Sequence, residues 1–374
     1  MSRTDPGART LLAVLAAASL VAGCAGGGAT ATPAPATPGP TPVMTAAPTP
    51  AATPAPTPTA AGSRVDVTSD VRFASAAPTE VPWMEPLFDV YAPAGASGAP
   101  LVVMLPPHAL AKDDAPAFAQ LARAVAERGA VAVVPSWSEV EDPPDLFTDP
   151  ASVERIAALQ RSVVGCVVSV AVSRAADYGA DPSSVVLLGE LYGANAAAMT
   201  ALDAPEPLPG CASTVSWTAT GLVGWDGDWM AMMPTLDGLG PGVGRAVAAL
   251  TPWSRLGTAP KLPVALVVSD AIVELTSSCG GSDAARLVPR DPAGTIRARL
   301  EEAGALQDGC LDNGEAAEAL AGEMVANGLE ATVVPLPNAD EGTRMGAGVH
   351  ATELGPADLA VLAEAVLDVA GPPR

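Results

Sequence analysis

The sequence predicts an α/β domain with a mostly parallel central sheet and helices on both faces. Short apolar runs of strand length alternate with longer stretches of helical spacing, which is the signature of a helix-covered parallel sheet. The strand runs are continuously apolar instead of alternating, as expected of strands buried on both sides. Apolar residues make up 49% of the 374 and aromatic residues only 3%. A sizeable core is therefore available, and Ala, Val and Leu must fill it.

The elements follow in order. Phe88 to Tyr91 and Leu101 to Leu105 are strand-type runs. Ala115 to Arg128 carries Phe118, Leu121 and Val125 at helical spacing, and Gly129 stops it. Val131 to Val134 is β-branched and ends at Pro135. Asp149-Pro150 offers an N-cap followed by proline at the first helical position, and the helix after it runs to about Tyr178. Val185 to Leu188 is a strand, and Ala194 to Leu202 is a helix of small residues. Val215 to Val223 contains a strand, and Val264 to Val268 is another. Thr295 to Ala303 and Glu315 to Asn327 are helical, Ala331 to Leu336 is a strand, and Pro356 to Val369 is a final amphipathic helix. No internal repeat is visible.

Charge narrows the function. Lys plus Arg number 19 and Asp plus Glu 41, a formal net charge of -22. Nucleic acid is excluded as a partner, because phosphate binding needs a basic footprint. A polybasic membrane-binding surface is excluded for the same reason. With two histidines, His108 and His350, a His-rich metal site is excluded. No metal or cofactor is expected.

The N-terminus reads as an export signal over residues 1–23. Arg3 and Arg9 give a positive start, and Leu11 to Ala22 is an apolar run too short to span a bilayer. It ends in Val21-Ala22-Gly23-Cys24, which resembles the bacterial lipobox. That resemblance implies lipidation of Cys24 and attachment to the extracytoplasmic side of the cell membrane. An ordinary secretory signal with an incidental cysteine is the competing reading. Residues 24–62 follow as a tether of Ala, Thr, Pro and Gly, broken only by Val43 and Met44 beyond the cysteine. Such a segment buries too little apolar surface to offset the entropy of ordering. Its Thr-Pro and Ala-Pro repeats favour polyproline II, with a reach of roughly 100 Å. The globular domain is expected over residues 63–374.

Within that domain several stretches resemble the α/β-hydrolase superfamily, in its esterase and lipase-like branch. Pro100 to Leu105 resembles the strand leading into the family's oxyanion loop, and Phe118 to Trp137 its next helix and strand. Tyr178-Gly179-Ala180-Asp181-Pro182 through Val185-Val186-Leu187-Leu188-Gly189 resembles the approach to the nucleophile elbow. Gly193 to Ala198 is similar to the helix behind it, and Leu250 to Val264 to the stretch before the acid-bearing strand. The likeness covers about Phe88 to Ala370, with one insertion at about Thr276 to Asn313. It implies the fold, and it locates where catalytic residues would stand.

Those positions carry the wrong chemistry. The elbow motif is Gly-x-Ser-x-Gly, and here it is Gly189-Glu190-Leu191-Tyr192-Gly193. The two glycines that permit the turn are present. Leu191, at the nucleophile position, has no lone pair to attack a carbonyl and no proton for a base to remove. No serine or cysteine lies between Gly189 and Leu202. The oxyanion-loop equivalent is Pro106-Pro107-His108, and proline has no N–H to donate. Where the family carries its histidine the sequence runs Pro337-Asn338-Ala339-Asp340-Glu341. Glu341 fills that position, while His350 is either a displaced catalytic histidine or a solvated loop residue. Asp270 is the candidate acid, and equally a turn residue or cap. No catalytic set is expected.

Two other arrangements are open. Glu190 and Glu341 would form a carboxylate pair only if both faced one cleft. Asp226 and Asp228 would suit calcium by chemistry, but their spacing lacks a full loop pattern and favours a turn. The five carboxylates from Glu139 to Asp149 read as a solvated face. Trp217, Trp225, Trp229 and Trp253 follow the elbow and read as core packing or, less commonly, as a ligand surface.

Beyond Cys24 the cysteines are 166, 211, 279 and 310. An exported chain with an even number suggests disulfides, with three connectivities open. Cysteines in similar places in secreted esterase-like relatives favour Cys166–Cys211. Cys279–Cys310 would then staple the insertion. The expected protein is a lipid-anchored extracytoplasmic module with a hydrolase fold and no hydrolase activity, binding an unknown ligand or envelope protein. The alternative is an active ester hydrolase with a displaced site.

Overall fold

Valine and leucine runs form the inner strands of an eight-stranded sheet in the order β1-β2-β4-β3-β5-β6-β7-β8. The computed structural model describes residues 64–76, 85–107, 111–137, 150–203, 205–206, 208–227, 229, 251–269, 313–336 and 354–371. All lie in one unit, Ala60–Arg374. The strands are β1 Val65–Arg72, β2 Leu87–Pro93, β3 Ala99–Leu105, β4 Val131–Pro135, β5 Ala180–Glu190, β6 Gly221–Trp225, β7 Pro263–Ser269 and β8 Glu330–Leu336. β2 pairs antiparallel with both β1 and β4, and every other pairing is parallel. This order, with a single reversed second strand, is the α/β-hydrolase arrangement.

Side chains that alternate along the strands divide the core in two. Leu101, Val103, Leu105, Val185, Leu187 and Leu266 face α2 (Pro150–Ser173), α3 (Tyr192–Leu202) and α4 (Asn313–Ala326). Val102, Met104, Val186, Leu188, Val223 and Val267 face α1 (Pro116–Glu127) and α5 (Pro356–Ala370). β3, β4 and β6 are buried at every position, which is why they read as unbroken apolar runs. Chain order reverses between β3 and β5. Their carboxyl ends therefore flank the topological switch point, where this class of sheet opens to ligands.

Several expected boundaries move. β1 has no counterpart among the expected elements, because most of its residues are exposed and it shows no apolar run. The strand expected within Val215–Val223 begins only at Gly221, and residues 213–219 are irregular. The reason is tertiary. Pairing with β5 starts at Val186↔Gly221, where a Cβ on Gly221 would stand 2.9 Å from the Val369 carbonyl of α5. The helix expected to continue to Tyr178 ends at Ser173. A 3-10 turn, Ala175–Tyr178, then closes on Gly179 at φ 74. β5 extends beyond Val185–Leu188 at both ends. The expected helix Thr295–Ala303, residues 276–312 of the insertion and the tether lie outside the described residues.

The Cys166–Cys211 disulfide is present, with its Cα atoms 5.7 Å apart. It closes a 45-residue separation and ties α2 to the loop after α3. In the chain-entropy view a loop of that size contributes about 4 kcal/mol. Cys279 and Cys310 lie outside the described residues.

Polar chemistry ties the sheet's first strands to the segment after β3. Lys112 is 7% exposed, on a 3-10 turn, Lys112–Asp114. Its ammonium lies 3.0 Å from Asp70, 3.1 Å from Asp89 and 2.8 Å from Asp113. Asp70 sits at φ 59 in a β1 bulge and donates its N–H to Asp89. Burial alone would lower the Lys112 pKa. Hydrogen bonds to Asp113, Asp70 and Asp89 outweigh it and raise the pKa. Lys112→Met is expected to cost about 3 kcal/mol, because Asp89 would remain largely buried without its cation. A raised lysine pKa stabilises fully below the unfolded value of about 10.4 and is lost as pH rises through the folded value. The parent-minus-variant gap in urea unfolding should therefore be flat through neutral and mildly alkaline pH and close only above about pH 10.5. A gap that shrinks between neutral pH and that point would contradict the assignment.

Candidate functional site

The carboxyl ends of the inner strands meet at the switch point, and β5 ends there in a one-residue turn. The strand stops at Glu190, Leu191 stands at the apex, and α3 starts at Tyr192. Leu191 has φ 51 and ψ -118, a conformation that glycine adopts freely and a leucine adopts only under constraint. The constraint is visible on both sides. The Leu191 N–H donates to the Trp225 carbonyl at 3.1 Å, and its carbonyl accepts from the N–H groups of Ala194 at 3.1 Å and Asn195 at 3.3 Å. A Cβ on Gly189 would meet the Gly193 carbonyl at 2.1 Å, and one on Gly193 would meet the Leu105 carbonyl at 2.5 Å. Both framing glycines are therefore required by the packing of strand, turn and helix.

Aromatic packing supports the turn. Tyr192 stacks on Trp137, centroids 6.2 Å apart and planes 11° apart. Its hydroxyl donates to the Gln160 side-chain carbonyl of α2 at 2.7 Å. The Trp137 indole N–H donates to the Pro106 carbonyl at 2.9 Å, which fixes the segment after β3. Pro106 and Pro107 are buried there and have no N–H to offer a developing oxyanion. Trp137 and Gln160 were not among the residues singled out from sequence. Gln160 opens the polar run Gln160-Arg161-Ser162 of α2, so no local signal set it apart.

Glu190 is 3% exposed and pairs in register with Trp225. Asp226 resolves differently from a cation ligand. It is 1% exposed, sits at φ 45, and donates its N–H to Val267 at 2.8 Å. One carboxylate oxygen accepts from the Ser269 N–H and the other from the Ser269 hydroxyl, both at 2.7 Å. Asp226 thus laces the end of β6 to the end of β7. Trp225 and Trp229 are core residues, 0% and 1% exposed, and Trp225 stacks on Phe118. Trp253 donates to the Trp229 carbonyl at 3.2 Å, while Trp217 is half-buried in another region. His108, Asp228, Asp270, Glu341 and His350 lie outside the described residues.

No family model matches the chain, and no curated protein matches it by sequence. Solved structures do overlap with it. Esterase B from Lactobacillus rhamnosis, inhibited by a tributyrin phosphonate, is 11% identical with a TM-score of 0.48, over 80% of this chain and 83% of that one. A thermostable esterase from Pseudomonas putida is 15% identical with a TM-score of 0.46, over 83% of each chain. A carbohydrate esterase from gut microbiota is 15% identical with a TM-score of 0.45, over 75% of this chain and 90% of that one. The fold of this chain stands on its own strand order.

Strain at the apex is measurable. Leu191→Gly should be more stable than Leu191→Ala by about 1–2 kcal/mol in denaturant unfolding, because glycine occupies φ 51 without a Cβ penalty. At an unstrained helix start the two would differ little. An alanine variant at least as stable as the glycine variant would remove strain from the description.

Proposed function

We propose that this chain is a lipid-anchored extracytoplasmic protein in which an α/β-hydrolase fold serves as a binding or structural module without ester hydrolysis. The observation that carries the reading is Leu191 at the apex of an otherwise intact glycine-framed turn. The turn aims this side chain where a nucleophile would attack, and a leucine side chain forms no acyl intermediate. The adjacent Pro106-Pro107 segment supports the reading, since two potential oxyanion donors are missing from the strand beside it. Loss of two parts that act in one reaction favours release from that reaction over a change of substrate.

Anchoring rests on the Val21-Ala22-Gly23-Cys24 signature and the Pro-rich tether. No helix among the described residues is long and apolar enough to cross a membrane, so the acyl chains on Cys24 are the anchor proposed.

A displaced hydrolase site is the second reading, and one observation favours it. The Ser269 hydroxyl is held by a carboxylate at a strand end of the same edge. Against it, Ser269 is fully buried, and a carboxylate is a weak base for a serine. In the displaced-site reading Asp270 and His350 would supply the acid and the base.

Short acyl esters offered to the purified protein across neutral pH should show no turnover above the blank. Leu191→Ser should remain inactive, because the proline segment still lacks its donors. Parent activity that Ser269→Ala or His350→Ala abolishes would overturn the reading in favour of the displaced site. Activity gained by Leu191→Ser would show that the remaining machinery survives. In cell fractionation, Cys24→Ala should move the protein out of the membrane fraction.

A further inference from the structure

Away from the elbow, the loop between α3 and β6 and the middle of α2 enclose an open cavity of about 190 Å³. It lies toward the amino ends of the strands, since residues 205–217 precede β6, whereas the elbow stands at the carboxyl ends. The loop has no regular secondary structure, yet it is fixed at several points. The Cys166–Cys211 disulfide binds it to α2. Ala212 donates its N–H to the Phe73 carbonyl at 2.8 Å, and the Ser169 hydroxyl donates to the Val215 carbonyl at 3.0 Å. Pro205 is seated so closely on Gly165 that a Cβ there would come within 2.4 Å of its ring. Val215 is nevertheless 45% exposed. An exposed valine and a half-buried tryptophan are thus held in fixed positions around an open space, which is how a pre-organised binding wall is built.

The lining selects a ligand chemistry. Trp217 and Val215 supply an apolar face, and Ser213, Thr214 and Ser216 supply hydroxyls that both donate and accept. Glu206 adds a carboxylate acceptor, and no lysine or arginine is among the described lining residues. An anionic ligand would meet an uncompensated carboxylate. A quaternary ammonium would find one aromatic wall instead of a cage and would leave the hydroxyls without partners. The volume lies below the range typical of drug-sized sites, so it suits a single ring. A pyranose or furanose combines an apolar C–H face with a rim of neutral hydroxyls. We propose that this disulfide-fixed cavity is a binding site for a neutral sugar ring, stacked on Trp217 and hydrogen-bonded by the Ser213–Ser216 segment and Glu206. The site is independent of the elbow and of whether the elbow hydrolyses anything.

Saturation-transfer NMR on the full chain tests it, with glucose, galactose, N-acetylglucosamine and arabinose as probes and choline and glucuronate as controls. At least one neutral sugar should bind saturably, with Kd on the order of 1 mM. Trp217→Ala should weaken that binding at least about tenfold. Thr214→Val with Ser216→Val, both at exposed positions, should weaken it in a protein whose unfolding curve matches the parent. Leu191→Ala should bind as the parent does, which separates this site from the elbow. The proposal fails if no neutral sugar saturates, if choline alone binds, or if the Thr214/Ser216 double variant binds like the parent.

Discussion

The close approach of Gly193 to the Leu105 carbonyl is the contact on which the centre of this domain depends. It lets the first turn of α3 lie directly against the end of β3. The chain must therefore reverse from β5 into α3 within one residue, and that residue is forced to φ 51. The rest of α3 follows. Every position from Gly193 to Leu202 is buried, so the helix is apolar nearly all round and built of alanines small enough for this packing. A larger residue at Ala194 or Ala197, both 0% exposed, would push α3 outward and undo the contact that sets the turn.

Around that centre, the polar residues at strand ends act as ties. Asp226 holds β6 to β7 through both carboxylate oxygens. Lys112 gathers Asp70, Asp89 and Asp113 and joins β1 and β2 to the segment after β3. Trp137 and Gln160 brace the elbow from β4's end and from α2. In each case the polar atoms are engaged within the fold. Among the described residues, the strand ends are thus joined to one another by these polar contacts.

The inner strands were legible in the sequence because burial on both faces leaves an unbroken apolar run, as in β3 and β4. The elbow was legible because only glycine fits at 189 and 193. β1 was not, since its exposed residues give no period to read. The start of β6 was not, because Val215 looks like strand material locally, while the approach of α5 at Gly221 decides where pairing begins. Asp226 was legible as a turn residue, with a calcium ligand as the weaker reading, and not as a tie between strands. Its partner Ser269 lies 43 positions away, and no local pattern reveals such a pairing. Lys112 was hidden for the same reason: besides its chain neighbour Asp113, its partners Asp70 of β1 and Asp89 of β2 meet it only after folding.

The leucine at the apex bears on the proposed loss of hydrolysis. A strained turn is retained when the surroundings over-determine it, and here they do, through the Gly193 contact and the hydrogen bonds of Leu191 to Trp225, Ala194 and Asn195. The turn is thus a consequence of how α3 packs and persists without a catalytic residue to present. Glycine would relieve the backbone at that position, yet the residue is a half-buried leucine, whose apolar side chain gains from burial what its backbone loses to strain. An apex kept for catalysis needs a small polar group open to substrate. An apex filled by leucine fits a turn kept for packing, in line with the proposed loss of hydrolysis.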